Sequence, residues 1–234
     1  MALPRLDTPQ YDLTLYNGEN IRFRPFLVKE QKILLMAMEE NDSKHVVNAM
    51  KQVIQNCTYD QIDVNKLPIF EVENIFLRLR EKSVGEEIEF RIKCINEECN
   101  GLTPVKVDLG TVVYDSNNIP STKIQLSENV ILNMKFPTLK NLDQVTNLEN
   151  IQDNFAFLAS CIASIEADGN IYDTATTSTE ELQAFIESMT NQQFAMLRDF
   201  FVNLPKISKT IEYNCASCGQ EQARTIQGLQ NFLV

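Results

Sequence analysis

Four of the six cysteines fall into two close pairs, and each pair sits where an alternating, strand-like run turns back on itself. Cys94 and Cys99 have four residues between them, Cys215 and Cys218 have two, and 115 residues separate the pairs. A soft divalent ion such as zinc takes four thiolates tetrahedrally, and two tight turns can each offer two sulfurs to one point. If one ion is shared, the strands near Leu109 and Ile207 must come together, whatever the chain between them does. Gly219, directly after Cys218, can take the positive φ that such a knuckle needs. The spacing therefore predicts a structural zinc on Cys94, Cys99, Cys215 and Cys218, with a coordination shell closed to water and substrate. Two unrelated pairs of buried thiols are the plainer alternative. A redox Cys-x-x-Cys usually opens a helix, where the thiolate is stabilised, whereas Cys215 follows a strand-like run.

The alternation itself is clear. Ile88, Phe90 and Ile92 interleave with Glu87, Glu89, Arg91 and Lys93, and Val105-Lys106-Val107-Asp108-Leu109 leads away from the first pair. Ile207 and Thr210-Ile211-Glu212-Tyr213 lead into the second pair, and Gln222 to Ile226 lead out. No signal-peptide core follows Met1 and no run of about 18 apolar residues occurs, so a reducing cytoplasm is expected. In that setting cysteines read as thiols or metal ligands before disulfides.

The remaining chain reads as mixed α and β. Residues 11–25 alternate around Asn17-Gly18, a hairpin signal. From Phe26 to Asn56 the period becomes helical, with a break at Asn41-Asp42-Ser43. A third helix is expected from Pro68 to about Lys82, its apolar face formed by Ile69, Val72, Ile75, Phe76 and Leu79, with Gly85 as its stop. Further on come a hairpin (Lys123 to Leu126, Val130 to Phe136) and helices near 138–149 and 151–166. The turn Asp168-Gly169-Asn170 follows, then a helix capped by Ser178 or Thr179 and a last helix over 191–203. The expected class is α+β: a split zinc-ribbon-like pair of hairpins, an N-terminal hairpin with helices, and a mostly helical insertion. The corresponding division is 1–85, then 86–110 plus 206–228, with 111–205 inserted as an α+β subdomain and 229–234 as an apolar tail. Docking of that tail into its own fold or onto a partner is left open.

Composition narrows the function. Lys and Arg number 21 against 32 Asp and Glu, a net charge of −11. Within 86–110 three basic residues face six acidic ones. Neither balance suits phosphate neutralisation or adsorption to an anionic membrane. Only seven glycines are present, all scattered singly, so no phosphate-cradling motif forms. His45 is the one imidazole, and beside Lys44 near a helix start it reads as solvated or capping. Cys57 and Cys161 read as small buried hydrophobes. The Phe194–Phe201 stripe reads as core. No constellation builds an active site, so no catalytic residue is assigned and the chain reads as a non-enzymatic structural or assembly protein.

Residues 67–86, LPIFEVENIFLRLREKSVGE, followed by a strand and the first cysteine pair, resemble the baseplate hub proteins of T4-like, contractile-tailed bacteriophages. The resemblance is best over residues 67–101; chain length and the late Cys-x-x-Cys are similar too. It implies a virion component of the tail baseplate, made in the host cytoplasm and working through contacts with other hub proteins, with no catalytic residues. Two other readings stand beside it: an assembly chaperone absent from the finished particle, and a zinc-ribbon accessory factor of RNA polymerase.

Overall fold

The computed structural model describes residues 6–40, 43–114, 119–143, 151–174 and 176–232. Helices alternate with small antiparallel sheets, an α+β chain. It divides into two compact units: Met1–Val64, Phe70–Asp115 and Lys206–Val234 form the first, Asn65–Ile69 and Ser116–Pro205 the second.

The first unit opens with the hairpin of β1 (Tyr11–Thr14) and β2 (Asn20–Phe23), turned at Gly18 with φ of 83°. Helices α1 (Val28–Glu39) and α2 (Ser43–Cys57) follow, then α3 (Ile69–Val84). Helix α3 starts directly after Pro68, which fits a residue whose ring is tolerated only at a helix start. Its Val72, Ile75, Phe76, Leu77 and Leu79 are all buried, as a 3.6-residue stripe facing a core requires. Three charged residues on the same helix are also enclosed or nearly so. Glu71 accepts from Tyr16 N–H at 2.6 Å, Asn74 Nδ2 at 3.0 Å and Tyr114 Oη at 3.2 Å. Arg78 pairs with Glu81 and donates through Nη2 to the carbonyls of Leu109 and Val112, at 2.8 and 2.5 Å. Strands β3 (Glu87–Lys93) and β4 (Leu102–Asp108) form one hairpin, β9 (Ser208–Asn214) and β10 (Glu221–Gln227) another. The tail folds back as a single 3-10 turn, Leu229–Phe232, burying Leu229 and Phe232 in its own chain; Leu233 and Val234 lie outside the described residues.

The second unit holds a four-stranded antiparallel sheet in the order β5 (Lys123–Ser127), β6 (Val130–Met134), β7 (Ile162–Ala167), β8 (Asn170–Asp173). Its helices are α4 (Leu139–Asp143), α5 (Ile151–Ser160), α6 (Thr179–Glu187) and α7 (Asn191–Val202). Ser178 caps α6, accepting from Glu181 N–H while the Glu181 carboxylate accepts from Ser178 N–H. Leu132, Ile162, Ile186 and Leu197 centre the core, and Phe200 from the predicted aromatic stripe is buried with them. Phe155 and Phe194 stack at 5.9 Å between ring centroids.

The sequence reading misses two strands of this unit, β7 and β8. The helix expected over 151–166 ends at Ser160, and residues 162–167 are a strand. Leu132 pairs with Ile165 and Met134 with Ile162, so Ala163 is an extra residue on β7, a β-bulge. The bulge puts Ile162 and Ile165 on one face at a separation of three, which imitates helical spacing. Of the helix expected over 138–149, residues 139–143 are helical and 144–150 lie outside the described residues.

Candidate metal centre

Each cysteine pair is set by a hairpin whose register is regular up to the turn. Strands β3 and β4 pair from Glu87↔Asp108 to Lys93↔Leu102, and Cys94 comes next. Its N–H donates to Gly101 O at 2.8 Å, closing the loop that carries Cys99. Within that loop Asn96 accepts through its carbonyl from Cys99 N–H (3.1 Å) and through Oδ1 from Glu98 N–H (3.0 Å). Asn100 takes the left-handed conformation, φ 48°, that lets the chain return. The second turn repeats the design. Cys215 follows β9 and donates to Gln220 O at 2.9 Å; Gly219, at φ 74°, donates to Cys215 O at 2.8 Å.

The two turns bring all four sulfurs together. Cys94 Sγ lies 3.8 Å from Cys218 Sγ, Cys99 Sγ lies 3.8 Å from Cys215 Sγ, and the whole set falls within 4.8 Å. A disulfide would need about 2.05 Å. Zinc with four sulfurs at about 2.3 Å has tetrahedron edges of about 3.8 Å, so the donor set fits that ion in number, chemistry and spacing. The four predicted positions are thus one cluster, able to hold a metal.

The surroundings pull two of the thiols in opposite directions. Hydrogen bonds from the N–H groups of Cys218 and Ser217 draw the Cys215 thiol below its ordinary range, to about 6. Cys99 has an N–H donor too, from Gly101, yet side-chain hydrogen bonds with Cys218, Cys215 and Cys94, together with burial, push it the other way. Four adjacent sulfurs share protons because their negative charges repel; a bound divalent cation removes that conflict by holding all four deprotonated. Cys94 and Cys215 are buried, Cys99 is half-buried and Cys218 is exposed.

Three neighbours complete the centre, and the sequence reading missed the role of each. Thr103 Oγ1 on β4 accepts from Ala216 N–H at 2.9 Å, tying one knuckle to the other hairpin. A Cβ on Gly101 would lie 2.5 Å from Ser217 Oγ, 2.8 Å from Ser217 Cβ and 3.1 Å from Cys215 Sγ, so only glycine fits between the turns. Gln222 on β10 donates through Nε2 to Cys94 Sγ at 2.9 Å. None stands out in sequence, since a Gln or Thr in an alternating strand reads as an ordinary polar residue. The other singled-out residues stay away from the cluster. His45 is exposed beside Glu40. Cys57 and Cys161 are fully buried, and burial pushes both thiols up to about 11.

The profile of a family described as T4 bacteriophage base plate protein matches residues 8–234. The chain belongs to this family. The match extends far beyond the helix and first cysteine pair that suggested it, and it includes both knuckles of the cluster. Membership places this baseplate protein among structural parts of the phage tail. No curated protein and no solved structure matches the chain. Among the described residues no helix is long and apolar enough to cross a membrane.

Proposed function

We propose that this baseplate protein is a non-enzymatic component of the baseplate hub, acting through contacts with other hub proteins and braced by one structural zinc. The observation that carries the reading is the convergence of Cys94, Cys99, Cys215 and Cys218 within 4.8 Å of one another in a chain of a baseplate family. Four thiolates fill the shell, so the ion would act as a cross-link between distant segments and present no open position to a substrate.

Helix α1 supports the assembly role. It buries Ala37 but exposes Leu35, Met36 and Met38 to between 54% and 55%, and Val28 to 81%. Several large apolar side chains exposed along one helix suit a surface that another protein covers. The acidic chain has neither nucleic acid nor membrane as a partner in this reading. It is made in the host cytoplasm and built into the virion tail. The chain divides into 1–85, the split knuckle module 86–110 plus 206–228, the insertion 111–205 and the tail 229–234.

Mass spectrometry of purified particles should find the protein in tails, and a phage lacking its gene should make defective baseplates. Normal tails without it would overturn the reading. A required protein missing from finished particles would make it an assembly chaperone instead, and co-purification with RNA polymerase an accessory factor. Elemental analysis of protein purified without chelators should give one zinc per chain; folded protein free of metal would refute the zinc assignment.

A further inference from the structure

The amide of Gln222 hydrogen-bonds a cluster sulfur from outside the four cysteines, Nε2 lying 2.9 Å from Cys94 Sγ. It is buried, 8% exposed, and its hydrogen bonds leave no freedom of orientation. Oε1 accepts from Ile95 N–H at 3.1 Å and from Tyr213 Oη at 2.9 Å. The Ile95 N–H can only donate, so the acceptor oxygen must face it and the NH2 must face the sulfur. The sequence positions matter as much as the chemistry. Gln222 belongs to the second hairpin, while Cys94 and Ile95 belong to the first, 128 and 127 residues away.

We propose that Gln222 is a positioning residue of the metal centre: it holds Cys94 Sγ in place and draws negative charge from it, locking the first knuckle to the second hairpin. The proposal rests on the zinc reading. A centre of four thiolates and one divalent cation carries two net negative charges in a partly buried place. N–H donors to sulfur offset that charge, and Cys94, Cys99 and Cys215 each have one. Cys215 receives backbone N–H groups of Ser217 and Cys218, and Cys99 that of Gly101. Cys94 receives a side chain instead. Of these donors to sulfur it is the one contributed by the opposite hairpin, so it adds to the cross-hairpin bonds of Ile95 N–H and Ala216 N–H in resisting separation of the two halves. Groups that orient metal-binding side chains typically change metal affinity by about 10–100-fold when removed.

The full-length protein should be compared with Gln222→Glu, Gln222→Leu and Tyr213→Phe. Gln222→Glu keeps the size and the acceptor for Ile95 N–H and Tyr213 Oη but turns the donor into a negative group facing sulfur. Gln222→Leu removes both functions. Zinc release to a chromophoric chelator should quicken about 10–100-fold in both Gln222 variants and stay near wild type in Tyr213→Phe. In cobalt-substituted protein the sulfur-to-metal charge-transfer band should move to lower energy in both Gln222 variants, because a thiolate without its N–H donor gives up an electron more easily. A residue that merely braced the fold would not move that band. Wild-type protein that holds zinc, with variants that release it at the wild-type rate and keep the band, overturns the role of Gln222 alone. Wild-type protein that binds no metal overturns the zinc reading and this proposal with it.

Discussion

Adding one methyl group at position 101 should loosen the junction of the two knuckles by a purely steric route. In Gly101→Ala the new Cβ would sit 2.5 Å from Ser217 Oγ, 2.8 Å from Ser217 Cβ and 3.1 Å from Cys215 Sγ. The Ser217 hydroxyl can rotate away, but its Cβ is fixed to the backbone of the turn, and the sulfur is held by its own hydrogen bonds. Relief therefore requires the Cys215–Cys218 turn to shift by several tenths of an ångström. Overpacking of this kind costs about 1–3 kcal/mol. A chain of this size loses about 2–4 °C of Tm per kcal/mol, so thermal unfolding should show a fall of several degrees, with faster loss of bound metal. The double variant Gly101→Ala with Ser217→Gly tests the cause, because it removes both of the closest contacts and leaves only the sulfur. A steric origin predicts that it recovers much of the loss, a coupling of about 1 kcal/mol or more in a double-mutant cycle. Strictly additive losses would refute the reasoning.

Three further outcomes are expected. Glu71→Ala strands three donors, Tyr16 N–H, Asn74 Nδ2 and Tyr114 Oη, and at about 1–3 kcal/mol for a buried unsatisfied group should cost at least 2 kcal/mol in chemical denaturation. Burial disfavours the ionised Glu30 carboxylate, but hydrogen bonds from Arg24 (3.0 Å) and Leu27 N–H (2.8 Å) outweigh it and hold its pKa below the usual value. The stability it contributes is thus complete above about pH 4.3 and lost as pH falls through the lower folded value, so Glu30→Gln should flatten the acid limb of a stability–pH curve below about pH 4.3. Replacing 116–204 with a short Gly/Ser linker should leave soluble protein that still binds one metal, measured by elemental analysis, because Val113 and Ser208 already form a bridge; complete loss of metal would show that the excised segment shares the core.

What could be read in the sequence followed simple periodicities. The stripe Val72, Ile75, Phe76 and Leu79 set α3, and alternation at Ile88, Phe90 and Ile92 set β3 up to its cysteine turn. A cap at Ser178 or Thr179 marked the start of α6, and Ser178 is the residue that caps it. The sites of failure have a shared cause, in that tertiary pairing changed the local period. On β7, Ala163 is an inserted residue, and the bulge makes a strand carry helical spacing. Strand β4 begins at Leu102, three residues before the alternation is visible, because Pro104 and Thr103 interrupt the apolar pattern while still pairing with Arg91 and Ile92. The cysteine spacing led to the cluster, but Gln222, Thr103 and Gly101 acquire their roles only when the second hairpin arrives from over a hundred residues away.

The segment that carried the family resemblance is also the one whose residues have the most specific demands. An apolar stripe can be met by many combinations of Leu, Ile, Val and Phe with little change in fold. Buried charges cannot, because each needs partners at defined positions. Helix α3 holds Glu71, Arg78 and Glu81 within sixteen residues. Glu71 fixes the β1–β2 turn through Tyr16 N–H and the chain after β4 through Tyr114. Arg78 fixes the carbonyls of Leu109 and Val112 at the exit of the first knuckle hairpin, with Glu81 balancing its charge. One helix thereby holds the turn of the N-terminal hairpin and the chain that follows β4, two parts of the same unit. Val112 is one residue before the bridge to Ser208, from which β9 runs to the second pair of cysteines. The polar residues of α3 therefore help to fix the point at which the chain leaves and re-enters the module that carries the four cysteines.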